Sequence, residues 1–262
     1  MCRWVAYLGE PIFLEEFVTA PRQSLIVQSR HSREAKNAVN GDGCGLGWYG
    51  DRDQPGLFRD VRPAWSDENL LSLAHQIKSR LFFAHVRAST GTATTRANCH
   101  PFSYGNWMFM HNGKIGGWDT LRRSIEAAIP DKLFQYRQGT TDSEVIFLLL
   151  LANGLQENPQ AACATTLRFI EGVMRRAQQA EPLRVTAAFS DGQRVYALRH
   201  ASDATPETLY VRNRQRSEGT LVVSEPLDDG RDDWEAVPPQ SFVTLSADGM
   251  HIEPFRLTAE AA

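Results

Sequence analysis

The chain has 262 residues, 42% of them apolar, and a net charge of −3 with acidic and basic residues interspersed. That length and apolar fraction predict a substantial core and argue against disorder, and the charge balance leaves no electrostatic footprint for nucleic acid or an anionic membrane. Cys2, Cys44, Cys99 and Cys163 are widely spaced without a C-x-x-C pair, which argues against structural zinc and a disulfide framework. There is no secretory pattern at the N-terminus, and the longest apolar run, Val145 to Ala152, is too short to span a bilayer. A reducing cytoplasm is the expected compartment.

The chain opens Met-Cys-Arg-Trp-Val-Ala-Tyr-Leu. Removal of Met1 would give Cys2 both a thiol and a free α-amino group. The thiolate is the reactive form of cysteine, with a thiol pKa of about 8.5, and an α-amino group titrating at about 7.7–8.0 can take that proton. A cysteine at the head of an apolar strand is otherwise a small buried hydrophobe, so downstream residues must decide.

Cys2 to Leu8 reads as a buried strand closed by Gly9-Glu10-Pro11, and Ile12 to Phe17 and Ser24 to Ser29 as short helical pieces. Asn40 to Gly50 holds five glycines, which predicts tight turns and close backbone approach instead of a regular element. A phosphate loop is disfavoured there because no Gly-Lys-Ser/Thr follows. Leu57 to Val61 is a further strand, and a helix is expected from Ser66, its N-cap, to about Lys78.

Arg80 to Arg87 is a largely apolar strand that ends on a basic residue at a polar loop. An arginine there suits either a carboxylate clamp or a structural ion pair. Trp107 to Met110 predicts a core strand delivering His111-Asn112-Gly113. Asn-Gly commonly marks a turn; the alternative is that the Asn112 amide and the Gly113 N–H stabilise an oxyanion. Helices are expected from Trp118 to Ala128, after a cap at Thr141 or Asp142, and from Pro159 to about Gln179. From Pro182 the pattern turns to short strands: Leu183 to Phe189, Val195 to Arg199, Thr208 to Val211, Thr220 to Val223, Ser241 to Leu245 and Met250 to Phe255. With no repeat or low-complexity linker, one domain of layered sheets and helices is expected over residues 1–262.

Taken together, Met-Cys-Arg, Asn-Gly-Asp-Gly-Cys-Gly-Leu-Gly-Trp, Ala-His-Val-Arg-Ala-Ser-Thr, Cys-His-Pro-Phe, Met-His-Asn-Gly and Thr-Thr-Asp-Ser-Glu resemble the class II glutamine amidotransferases in order and approximate spacing. The motifs lie between Cys2 and Leu151; residues 182–256 fit the rest of the family fold by pattern alone. The resemblance is strongest to the stand-alone branch that includes YafJ-like proteins and the amidohydrolase of ergothioneine biosynthesis. It implies an α+β fold, the four-layer αββα sandwich of N-terminal-nucleophile hydrolases. It also implies that Cys2 attacks the γ-amide of glutamine or of a γ-glutamyl compound, giving a γ-glutamyl thioester. Asn112 and Gly113 would form the oxyanion hole, Arg87 and Thr90 would bind the substrate α-carboxylate, and Asp142 would meet the α-ammonium. No metal or organic cofactor is implied.

Two departures from the family stand out. Cys44 replaces a tryptophan common in close relatives, which points to a different pocket wall; the thiol itself reads as a small buried residue, the general habit of free cysteine, ahead of a second reactive thiol. The loop after Arg87 lacks the Trp-Ala-Thr-His-Gly pattern. His85, His100 and His111 are not spaced as ligands and are expected to be structural. Three functional outcomes remain open at this level. These are a glutaminase serving a separate ammonia-acceptor subunit, a hydrolase of γ-glutamyl amides with bulky amines, and a catalytically silent binding module, the last if Met1 is retained.

Overall fold

The computed structural model describes residues 2–34, 39–89, 91–213, 219–230 and 233–257. Met1 and Thr90 lie outside the described residues. In chain order the strands are β1 (Arg3–Phe13), β2 (Cys44–Trp48), β3 (Gly56–Asp60), β4 (Lys78–Val86), β5 (Phe102–Tyr104), β6 (Trp107–Lys114) and β7 (Arg184–Ser190). They continue with β8 (Val195–Ala201), β9 (Tyr210–Asn213), β10 (Thr220–Val223), β11 (Glu235–Ala236), β12 (Ser241–Ser246) and β13 (Gly249–Pro254). The helices are α1 (Glu15–Val18), α2 (Leu25–Arg30), α3 (Glu68–Gln76), α4 (Trp118–Glu126), α5 (Asp131–Phe134), α6 (Asp142–Ala152) and α7 (Pro159–Arg176).

Two antiparallel sheets result, one ordered β11-β9-β10-β1-β4-β2-β3 and the other β13-β12-β8-β7-β6-β5. Alternation along the central strands sorts their side chains into three cores. Trp4 and Ala6 of β1 and Leu81 and Phe83 of β4 meet Met108 and Met110 of β6 between the sheets. Val5, Tyr7, Phe82 and Ala84 point the other way and pack under Phe17, Leu25 and Leu70 from α1 to α3. Phe109, Val185 and Phe189 cover the outer face of the second sheet, beneath Ile125, Phe147 and Ile170 of α4, α6 and α7. Three cores between four layers make an αββα sandwich, the expected α+β architecture.

Several local expectations need correction. Gly9-Glu10-Pro11 does not close β1: the strand runs through Phe13, with its register against β4 shifting between Leu8 and Ile12. A bulge tolerates a residue without an N–H, and Ile12 and Phe13 are therefore strand, the helix starting only at Glu15. The glycine-rich stretch becomes regular from Cys44, as β2. Its inward-facing Gly45 and Gly47 let the sheets close up, since a Cβ on Gly45 would collide with the His100 carbonyl and one on Gly47 would lie 2.5 Å from Met108 Sδ. Ser66 sits in a short 3-10 turn, and Asp67 caps α3 instead, accepting the Asn69 and Leu70 N–H groups at 3.0 and 3.1 Å. The strand expected over Thr208 to Val211 lies at Tyr210–Asn213, and β5, α5 and β11 were not legible in the pattern.

Candidate active site

The ends of β1, β4 and β6 and the start of α6 meet around a cavity of about 270 Å³ whose lining includes Cys2, Arg87, Asn112, Gly113 and Asp142. Five of the six residues singled out from sequence are thus brought together; the sixth, Thr90, lies outside the described residues.

Cys2 precedes β1 and is partly exposed, its Sγ lying 3.7 Å from the Ala88 carbonyl oxygen. Burial pushes the thiol above its ordinary pKa, against the opposing pull of the Arg87 and Arg3 charges. The resting group is a neutral thiol that requires a base.

Arg87 follows β4, 2% exposed. Its guanidinium donates to Asp42 O at 3.2 Å, Ser89 Oγ at 3.3 Å, Thr92 Oγ1 at 2.7 Å and Ala93 O at 3.3 Å. Each of these acceptors is a neutral oxygen, so among the described residues the charge is fixed in place without being neutralised. Asp42 supports the arginine from outside the cavity lining. Its carboxylate accepts the Ser89 N–H at 2.7 Å and its backbone N–H donates to Arg87 O at 3.0 Å, tying the glycine loop to the arginine loop. Ser89, Thr92 and Asp42 were missed as supports; the run of hydroxyl residues after Arg87 was the available signal.

Asn112 and Gly113 do not form a turn. Both belong to β6, paired with Thr186 and Val185 of β7. Asn112 is 1% exposed, and its Nδ2 has no hydrogen-bond partner among the described residues. Gly113 has φ +148°, and a Cβ there would strike the Arg184 carbonyl oxygen, so this position requires glycine. Behind them, His111 Nε2 lies 3.2 Å from Arg184 O and Nδ1 2.9 Å from Ser143 Oγ. The contact to a carbonyl assigns the proton to Nε2, leaving Nδ1 to accept from the Ser143 hydroxyl. Burial lowers the His111 pKa, opposed by Asp142, and holds the ring neutral.

Thr141 caps α6 through the Glu144 N–H at 3.2 Å, which leaves Asp142 free of that duty. The Asp142 carboxylate accepts the Ile115 N–H through Oδ2 and the Ser143 N–H through Oδ1, both at 2.8 Å. It too is fixed by neutral donors.

His100 reaches the cavity, its ring tilted against that of His85 with centroids 4.2 Å apart. Burial lowers both, His85 to about 3, so both are neutral. Cys44 takes the buried reading of its two: it faces the helical side of its sheet, with Sγ 3.5 Å from Arg62 O and its pKa raised by burial. It is a packed thiol and forms no wall of this cavity. Among the described residues no cluster of three His, Cys, Asp or Glu side chains is arranged to hold a metal ion, and no helix is long and apolar enough to cross a membrane.

Comparison with known proteins shows the family and the fold. A family model described as glutamine amidotransferases class-II matches residues 20–215. The chain is 32% identical to the probable glutamine amidotransferase DUG3 of Saccharomyces cerevisiae, over 97% of this chain and 84% of that protein. It is 31% identical to a gamma-glutamyl-hercynylcysteine sulfoxide hydrolase of Mycolicibacterium smegmatis, over 94% and 96% of the two chains. A glutamine aminotransferase class-II domain protein of Silicibacter pomeroyi superposes with a TM-score of 0.77 at 39% identity, covering 97% of this chain and 100% of that one.

Proposed function

The chain belongs to the class II glutamine amidotransferases, and from that premise we propose that it cleaves the γ-amide of glutamine or a γ-glutamyl compound through Cys2. With Met1 removed, the Cys2 α-amine takes the thiol proton and Sγ attacks the γ-carbonyl carbon. The oxyanion accepts hydrogen bonds from Asn112 Nδ2 and the Gly113 N–H. Collapse forms the γ-glutamyl thioester and expels ammonia or an amine, which leaves with the proton held by the α-amine. Water, deprotonated by the same amine, then attacks the thioester and frees glutamate.

Arg87 binds the α-carboxylate, Thr90 supports that end, and Asp142 accepts from the α-ammonium. A γ-glutamyl group carries both charges on one carbon, and a cation and an anion each fixed by neutral partners form a complementary reader for it. The observation that carries the proposal is the buried Nδ2 of Asn112, without a partner among the described residues, on a side chain whose residue lines the same cavity as Cys2. A buried donor without an acceptor costs about 1–3 kcal/mol, and a developing oxyanion is what it would bind.

A second reading, a γ-glutamyl amide with a bulky amine, is supported by Lys114, Arg184 and Glu207. These polar residues also line the cavity, beyond the groups assigned to the γ-glutamyl half. Purified protein supplied with glutamine, and separately with γ-glutamyl amides of large amines, distinguishes the two by rate of glutamate release. Faster release from glutamine supports the glutaminase reading, with the ammonia either freed or passed to a separate acceptor subunit. Release from neither substrate by folded protein would leave a binding module and reject the hydrolytic proposal.

A further inference from the structure

The residue after the nucleophile is a fully buried charge. Arg3 is 0% exposed and points from β1 to the helical side of its sheet, away from the cavity that Cys2 faces. Its Nε lies 2.7 Å from Ser32 Oγ and 3.1 Å from Glu225 Oε2, and Glu225 is itself only 2% exposed. Ser32 Oγ donates to Glu225 Oε2 at 2.6 Å. The same carboxylate accepts the backbone N–H groups of Arg33 and Glu34, both at 3.0 Å. A second arm of the guanidinium, Nη1, donates to the carbonyl oxygen of Cys2 at 3.3 Å. The bend after β10 and the loop at Ser32 are thus fastened to one guanidinium on β1, and that guanidinium grips the nucleophile's own backbone.

Removing two charges from water costs several kcal/mol per ion, and hydrophobic replacements are often no less stable. Stability alone is a weak account of a buried pair at this position. What the pair does supply is a rigid anchor for the Cys2 carbonyl and a positive charge one residue from the catalytic amine. A nearby cation favours the unprotonated amine and the thiolate alike.

We propose that Arg3, locked by Glu225 and Ser32, is a positioning residue that fixes Cys2 and keeps its α-amine unprotonated near neutral pH. The proposal rests on Cys2 acting as the nucleophile with its amine as base. Other charged or titratable groups also face Cys2 across the cavity: Arg87 after β4, His100 before β5, His111 and Lys114 on β6, Arg184 on β7, Asp142 on α6, and Glu207 ahead of β9. All of them remain when the Arg3 pair is altered, so the two charges of the pair can be tested by sign.

The test begins with the wild-type protein and 6-diazo-5-oxonorleucine: without an adduct on Cys2, the nucleophile assignment itself fails. Given that adduct, the pH profile of kcat/KM is measured for R3Q, E225Q, R3K and the R3Q/E225Q double variant, with Met1 removal checked by mass. Loss of the cation in R3Q raises the pKa of the amine, so the acid limb moves to higher pH by about 0.5–1 unit. Loss of the anion in E225Q moves it to lower pH by a smaller amount, because the guanidinium and not the carboxylate contacts the Cys2 backbone, and the doubly neutral variant lies between wild type and R3Q. R3K retains charge but not the planar fork, so its limb stays in place while kcat falls about tenfold at nearly constant KM. If R3Q does not fold, the opposing behaviour of E225Q and R3K decides. Limbs that stay at the wild-type position in R3Q and E225Q, or move in the same direction, would overturn the proposal while leaving Cys2 as nucleophile.

Discussion

Arg87 and Cys2 both come from the seven-stranded sheet, yet they are held very differently. Among the described residues the Arg87 guanidinium makes four hydrogen bonds to neutral oxygens, whereas the Cys2 thiol has one long contact at 3.7 Å. The other wall repeats the contrast: Asp142 accepts two backbone N–H groups at 2.8 Å, and Asn112 Nδ2 meets nothing among the described residues. Groups suited to reading a ligand's charges are immobilised in advance, so little ordering cost falls on binding. Groups suited to bond making keep their capacity unspent, to be satisfied only when a reacting carbonyl is present.

Substitutions on the two sides should therefore fail in different ways. Cys2→Ala removes the nucleophile and should reduce glutamate release by more than about 1000-fold while a γ-glutamyl ligand still binds, as calorimetry would register. Asn112→Ala should lower kcat about 100-fold or more with KM little changed, because the lost bond is made to the oxyanion. Arg87→Lys and Asp142→Asn act on the fixed charges and should instead lower kcat/KM by about 10- to 100-fold, mainly through KM. A fall in kcat alone at these two positions would erase the distinction between the walls. The smallest effect is expected from Asp67→Ala, away from the cavity: loss of the α3 cap should cost about 1 kcal/mol in urea unfolding and leave kcat unchanged.

Most of the site was legible because its motifs sit at strand ends, where an apolar run stops on a polar residue. Arg87 and His111-Asn112-Gly113 follow that rule, and Thr141 was found from its place before an apolar helix. Asn-Gly was ambiguous because its local preference for a turn was overridden by pairing with β7. Gly9-Glu10-Pro11 misled for a similar reason, since a bulge carries the strand past a proline. Asp67 won the α3 cap from Ser66 because the short 3-10 turn shifts the helix start by residues that composition does not mark. The Arg3–Glu225 pair was out of reach: its members lie far apart in the chain, and β1 meets β10 only through long-range pairing.

The central claim is that Cys2 is the nucleophile of a γ-glutamyl site, and intact mass before and after 6-diazo-5-oxonorleucine, with the adduct mapped, tests it most directly. A mature chain beginning at Cys2 and carrying a single adduct there, suppressed by glutamine or by a γ-glutamyl amide, is the predicted result. Retained Met1 with no adduct, or labelling at Cys44, would contradict it.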